Sequence, residues 1–216
     1  EDEQFIRATM RRNVGPPRFS RSTIASWEKI IETVSLAFLA TSLSAIFAIP
    51  FTLLSARGSS IWGRGLNILL QPILAAVRAV HPLIVVFPGV IIAGIGPAAG
   101  VLALTLFSTA VLIDKFSEYA REHASTSWQS MLTTYFPGIA FRHFPTNLTI
   151  ATVLGFMGGG GIGFMLQQNI NLLNYRDASV SILAIIITIG SLDLISRAVW
   201  RRIHSTVISD PSAPEK

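Results

Sequence analysis

The chain has 216 residues, of which 50% are hydrophobic and 13% charged, with a formal net charge of +5 and a mean hydropathy of +0.54. A soluble domain carries about 25% charged residues, so this composition argues against a soluble fold. With no cysteine present, a disulfide, a thiolate metal site and a cysteine nucleophile are excluded.

Residues 1–27 are polar and basic, with Arg7, Arg11, Arg12, Arg18 and Arg21 around a Gly15-Pro16-Pro17 break. The first residue is Glu1 and no signal-peptide pattern precedes the first apolar block, which reads as a processed or trimmed chain. The first block, 32–56, has no charge after Glu32 and is long enough to span a membrane, with Pro50 expected to kink it. A polar loop with Arg57 and Arg64 follows.

Residues 66–96 are too many for one simple span. Gln71, Arg78 and His81 fall in the first half, so 66–80 reads as an interfacial helix and 81–96 as the span, with two separate spans as the alternative. Arg78 and His81 are then interfacial anchors or polar lining of a path.

Residues 94–100, GIGPAAG, read as a turn, and 101–113 as a third span ending at Asp114-Lys115. Residues 114–137 are the most polar interior stretch. A fourth span, about 138–157, leads into the glycine run, and a last span, about 178–199, ends in Trp200-Arg201-Arg202. Asp193 and Arg197 are four apart, acid first, and fit an intrahelical pair. A short tail with Pro211 and Pro214 closes the chain and reads as disordered.

The predicted fold is therefore all-α, a polytopic bundle of about five spans. Residues 28–203 form the membrane domain, 1–27 lie outside or at the interface, and 204–216 form a cytoplasmic tail. The WRR end and the Lys115/Arg121 segment both read as cytoplasmic by the positive-inside rule. An arginine-rich start on the opposite side strains that rule; a preceding span or a surface-lying segment would relieve the strain.

The most unusual stretch is 155–164, GFMGGGGIGF. Gly158, Gly160 and Gly163 satisfy G-x-G-x-x-G, but a dinucleotide fingerprint needs a preceding strand and an acid about 20 residues on. Asp177 comes too early, and no Gly-Lys-Ser/Thr follows. The better reading is geometric: Gly155, Gly158, Gly159, Gly160, Gly161 and Gly163 break a helix beside a translocation path and let two subunits approach closely. The four histidines, His81, His123, His143 and His204, show no metal-ligand spacing, and no nucleophile elbow is present. Neither catalysis nor nucleic-acid binding finds support in the residues, and no cofactor is expected in this chain.

Three stretches together resemble the phosphonate-type permease subunits of binding-protein-dependent ABC importers. ETVSLAFLATSLSAIFAIPFTLLSARG (32–58) is similar to the family's opening core span. RAVHPLIVVFPGVIIAGIGPAAGVLALTLFSTAVLIDKFSE (78–118) is similar to its run from Arg-x-x-Pro to Phe-Ser-Glu, with His81 as one extra residue. ATVLGFMGGGGIG (151–163) is the most specific.

The resemblance covers about 32–203 and implies a type I importer permease. It implies an ATP-binding subunit that uses the ATP, an extracytoplasmic substrate-binding protein, a second permease subunit in a homodimer or heterodimer, and membrane lipid as partners. The location implied is the prokaryotic inner membrane, and the cargo a phosphonate, phosphate or related oxyanion.

It also implies a coupling segment, 114–137, opened by Glu118 and closed by Pro137. Ala120 fits the family pattern, and Arg121 lies within the segment. Tyr119, Ala124, Thr134 and Phe136 replace the family's Ala, Gly, Ile and Leu; Glu118 and Pro137 keep the family's separation, while the whole stretch from Phe116-Ser117-Glu118 to Ala151-Thr152 is shorter than the family's. A permease for another solute, a degenerate non-transporting partner, and a secondary transporter or channel are the rival readings; the last would favour more ionisable residues inside the spans.

Overall fold

The computed structural model describes residues 21–56, 61–80, 82–123 and 127–208. The chain is α-helical, with no strand among the described residues. Helix α1 is Arg21–Ala56, α2 Ile61–Ala79, α3 Pro82–Ala93 and α4 Pro97–Glu122. A short turn, Trp128–Ser130, and a π-helical turn, Met131–Tyr135, lead into α5, Phe136–Leu154. A second π-helical turn, Gly155–Gly159, separates α5 from α6, Gly161–Asn171, and α7 is Tyr175–Ile208.

Three stretches are long and apolar enough to cross a membrane: Ile24–Leu53, Pro97–Glu122 and Tyr175–Arg202. A fourth is the bent pair Trp128–Gly159 and Gly161–Asn171, which turns through 53°. The span expected over 81–96 is shorter than predicted. The 12 residues of α3 rise only about 18 Å, against a hydrocarbon core of about 30 Å. Pro82 starts α3, and Gly94 and Gly96, both at positive φ, end it in a tight turn.

The turn expected over 94–100 is correspondingly short, because Pro97 already sits in the first turn of α4, where its missing N–H costs nothing. The helix expected to end at Asp114 runs on to Glu122. The first helix begins at Arg21 rather than Glu32, and a Lys29–Glu32 ion pair at 2.6 Å supports the added turns.

The core lies where α1, α4 and α5 meet. Small residues on α1 (Ala37, Ala40, Ser44 and Ala48) are fully buried and let the helices close up. At one end, Phe116 of α4 stacks on Phe136 of α5 with centroids 4.4 Å apart. Tyr119, Met131 and Tyr135 are buried in the same cluster, and Trp200 of α7 packs against it. The WRR end of the chain and the 114–137 segment therefore sit at one end of the bundle, as the charge pattern requires.

Proline positions explain the irregular turns. Pro137 cannot donate to the preceding turn, and the helix widens to a π-turn just before it. Pro145 leaves the carbonyl of Phe141 without its helical donor. The Ser196 hydroxyl of α7 donates to that carbonyl at 3.2 Å, so a gap in one helix becomes a tie to another.

Candidate functional site: a glycine joint and a polar cleft

The glycine run is a packed joint. Gly158, Gly160 and Gly161 have φ of 95°, 78° and 71°, values that L side chains rarely adopt. The Gly96 N–H donates to the Gly158 carbonyl at 2.7 Å, tying the α3–α4 turn to the run. A Cβ on Gly100 would lie 2.5 Å from the Gly159 carbonyl oxygen. One on Gly160 would lie 3.0 Å from the ring and nitrogen of Pro97. Where α6 folds back across the end of α5, a Cβ on Gly155 would lie 2.8 Å from the Gly163 Cα, and one on Gly163 would collide with the Thr152 carbonyl.

The predicted glycines thus converge in one buried place. The close approaches they permit within the chain are between α1, the α3–α4 turn, α5 and α6.

The start of α6 bears on the phosphate-cradle reading. A helix N-terminus binds an anion when its N–H groups are free. Here Gly161 N–H donates to a Glu32 carboxylate oxygen at 3.1 Å, and Ile162 N–H to the Thr33 hydroxyl at 2.8 Å. These are N-caps supplied from 129 positions away. A carboxylate already satisfies the helix end, and an incoming phosphate would have to displace it.

A second buried cluster lies among α1, α4 and α5. Ser108 donates to the Asn147 side-chain oxygen at 2.7 Å, and Asn147 donates to the Thr41 hydroxyl at 2.8 Å. Thr41 in turn donates to the Ala37 carbonyl. Asn147 and Ser108 are fully buried, so the network is closed. Sequence reading did not single it out; the available signal was an asparagine inside an apolar span.

A different polar group lies open between α5 and α7. Asp193 and Arg197 form the predicted pair at 2.6 Å, and Arg142 of α5 reaches the other Asp193 oxygen at a looser 3.4 Å. Thr146 and Thr149 continue the exposed side of α5 one and two turns further on. With Pro145, Ile150, Ile189, Gly190 and Asp193 they line a cleft of about 380 Å³. None of these threonines was foreseen, and neither was the role of Arg142.

Of the coupling residues, Glu118 and Arg121 are exposed on the last turns of α4, and Ala120 is buried beneath them. Pro137 is exposed at the start of α5, and Ala124 lies outside the described residues. Tyr119, in place of the family's alanine, is accommodated by stacking on His123 and Tyr135, with centroids at 4.2 Å and 4.9 Å. Arg78 pairs with Asp114, tying α2 to α4, and so has a structural partner. His81 lies outside the described residues.

No protein-family model matches the chain. Among curated proteins it is similar to the phosphite transport system permease protein PtxC of Stutzerimonas stutzeri, 27% identical over 213 residues, 88% of this chain and 74% of that one. It is also similar to the phosphate-import permease protein PhnE of Mycolicibacterium smegmatis, 28% identical over 201 residues, 84% of this chain and 36% of that one; the chain spans about a third of that relative. A trimethylamine N-oxide transport system permease protein of Pelagibacter ubique is 24% identical over 195 residues, 79% of this chain and 26% of that one.

Among solved structures, the inward-facing MetNI methionine ABC transporter matches with a TM-score of 0.64 at 16% identity, over 85% of this chain and 99% of that one. That likeness is one of fold. With the glycine joint and its bundle in place, fold and relatives converge: this is a multi-pass membrane protein with the type I importer permease architecture, and the curated proteins it resembles include permeases of phosphite and phosphate import.

Proposed function

We propose that this chain forms the translocation path of a bacterial inner-membrane importer for phosphite, phosphate, phosphonate or a related oxyanion. The observation that carries the reading is the match of nearly the whole chain to permeases of phosphite and phosphate import, on a bundle with the fold of an importer permease. Two permease subunits enclose the path. A separate ATP-binding subunit consumes the ATP, an external binding protein delivers the solute, and this chain carries out no covalent chemistry.

The 114–137 segment is the docking element for the ATP-binding subunit. Glu118 and Arg121 offer charges at the end of the bundle, and the Phe116–Phe136 and Tyr119–Tyr135 contacts stiffen it, so that motion of the docked partner is passed to α4 and α5 together. The glycine joint at the other end of α5 is the fixed point about which that motion turns.

Co-expression with the ATP-binding subunit tests the docking. Glu118→Lys turns an attractive charge repulsive and is expected to weaken co-purification while leaving membrane insertion intact. Unchanged co-purification and unchanged uptake would remove Glu118 from the interface.

The trimethylamine N-oxide permease among the relatives supports a second reading, import of a different solute. A quaternary-ammonium-like solute calls for aromatic faces, whereas the open cleft is lined by threonines, aliphatic residues and Asp193, with Arg142 and Arg197 paired to that aspartate beside it. Competition of inorganic phosphate and phosphite against trimethylamine N-oxide for uptake separates the two.

A further inference from the structure

Within the membrane-spanning part of the bundle, the charges between α5 and α7 do not balance. Asp193 faces both Arg142 and Arg197, leaving one positive charge over. The closer partner, Arg197 at 2.6 Å, largely satisfies the carboxylate, while Arg142 sits at 3.4 Å. Its side chain is 40% exposed, and the contact to Asp193 engages one of its two terminal nitrogens, out of five N–H donors in all.

A guanidinium held like this against hydrocarbon is expensive, and in membrane proteins such groups face a water-filled cavity or a partner. Thr146 lies inside the candidate span Trp128–Gly159, ten residues along α5 from Phe136, a rise of about 15 Å. An exposed stripe of Arg142, Thr146 and Thr149 within such a span fits a wet wall better than a lipid-facing one.

The geometry points to the α5–α7 cleft as a wall of the aqueous path, with Arg142, one turn from Thr146 and held at the cleft's edge by the lining residue Asp193, as the residue that meets a tetrahedral oxyanion and Thr146 and Thr149 as hydroxyls lining its way. A planar guanidinium presents paired donors to two oxygens of one anion. Asp193 positions Arg142 loosely enough to be given up to a passing solute, and the surplus charge keeps the passage attractive to anions and hostile to cations. The inference rests on the importer reading and goes beyond it by naming the residues that touch the cargo. A phospholipid headgroup offers the same phosphate chemistry and is the competing source of the anion.

The chain has no cysteine, so in the assembled complex in native membranes any label found on this chain reports the single cysteine introduced. Thr146→Cys and Thr149→Cys are expected to react with a water-soluble methanethiosulfonate. Ile46→Cys, on the exposed apolar face of α1, is expected to stay unreacted, because thiolate formation needs water. Inorganic phosphate or phosphite at ten times its dissociation constant should slow labelling of Thr146→Cys about tenfold by mass action. Adding Arg142→Gln should abolish that protection while leaving labelling intact, which also shows that the variant is folded; Arg142→Lys should retain part of it.

Unlabelled cysteines at both threonines would overturn the wet wall. If Arg142→Gln in those same variants also strips co-purifying anionic phospholipid, the occupant is a headgroup. Labelling that neither anion slows, or protection that survives Arg142→Gln, would overturn the role of Arg142. Co-purification with the ATP-binding subunit is scored in the same preparations, so failure of the importer reading shows separately.

Discussion

Two regions of the bundle hold polar groups at membrane depth, and they hold them in opposite ways. Around the glycine joint and the Thr41–Ser108–Asn147 cluster, the groups are buried and bonded to one another, with Glu32 and Thr33 closing the start of α6. Beside the α5–α7 cleft the charges are partly exposed and uneven in sign, with Arg197 tightly and Arg142 loosely paired to Asp193. A sealed polar network stabilises a particular packing, because opening it leaves unsatisfied groups in a medium that cannot hydrate them. An open, unbalanced one gains nothing from sealing, and its natural complement is water and a mobile anion.

If the first region is sealed, damage there should act through structure. Gly160 sits at φ 78°, ψ −168°, a conformation that is essentially reserved for glycine and costs other residues about 1–3 kcal/mol. Overlap with Pro97 adds a further overpacking cost of about 1–3 kcal/mol. Gly160→Ala is expected to impair uptake and Gly160→Val to abolish it at normal membrane levels. Normal uptake by the valine variant would show the joint to be adaptable rather than packed.

Asn147→Ala should come next. It strips both Ser108 and Thr41 of their buried partner at a cost of about 1–3 kcal/mol, read as a lower melting temperature of the detergent-solubilised protein. Glu32→Ala removes one cap from α6 and should cost about 1 kcal/mol, while Glu32→Gln, which keeps an acceptor, should cost less. The smallest effect on stability is expected in the open region: Asp193→Asn should leave the melting temperature near that of the unaltered protein, because water in the cleft solvates the two arginines. A large loss there would mean that the cleft is sealed after all.

The uninterrupted apolar runs that became α4 and α7 were legible because a span is a local property of composition. The broken helix at Gly155–Gly161 was legible too, since consecutive glycines between apolar runs have few other uses in a membrane. What packs against those glycines was not, because Thr33, Pro97 and Gly100 lie far away in the chain and carry no local mark of the contact. The shortness of α3 was partly readable in Pro82 and Gly94. The hydrophobicity of 81–96 hid it, since a buried broken segment and a span look alike by composition. Arg142 and Thr146 were passed over for a similar reason: only the placement of α7 beside α5 brings Asp193 across and shows that a charge is left over.

The central claim is that this bundle passes an oxyanion across a membrane at the expense of ATP bound elsewhere. The most direct measurement is accumulation of labelled inorganic phosphate and phosphite in vesicles holding the complete transporter, with its binding protein and ATP on their respective sides. The account predicts uphill accumulation of at least one of the two that stops when a non-hydrolysable nucleotide replaces ATP or when this chain carries Gly160→Val. Accumulation that proceeds without hydrolysis, or that persists when this chain is left out, would contradict it.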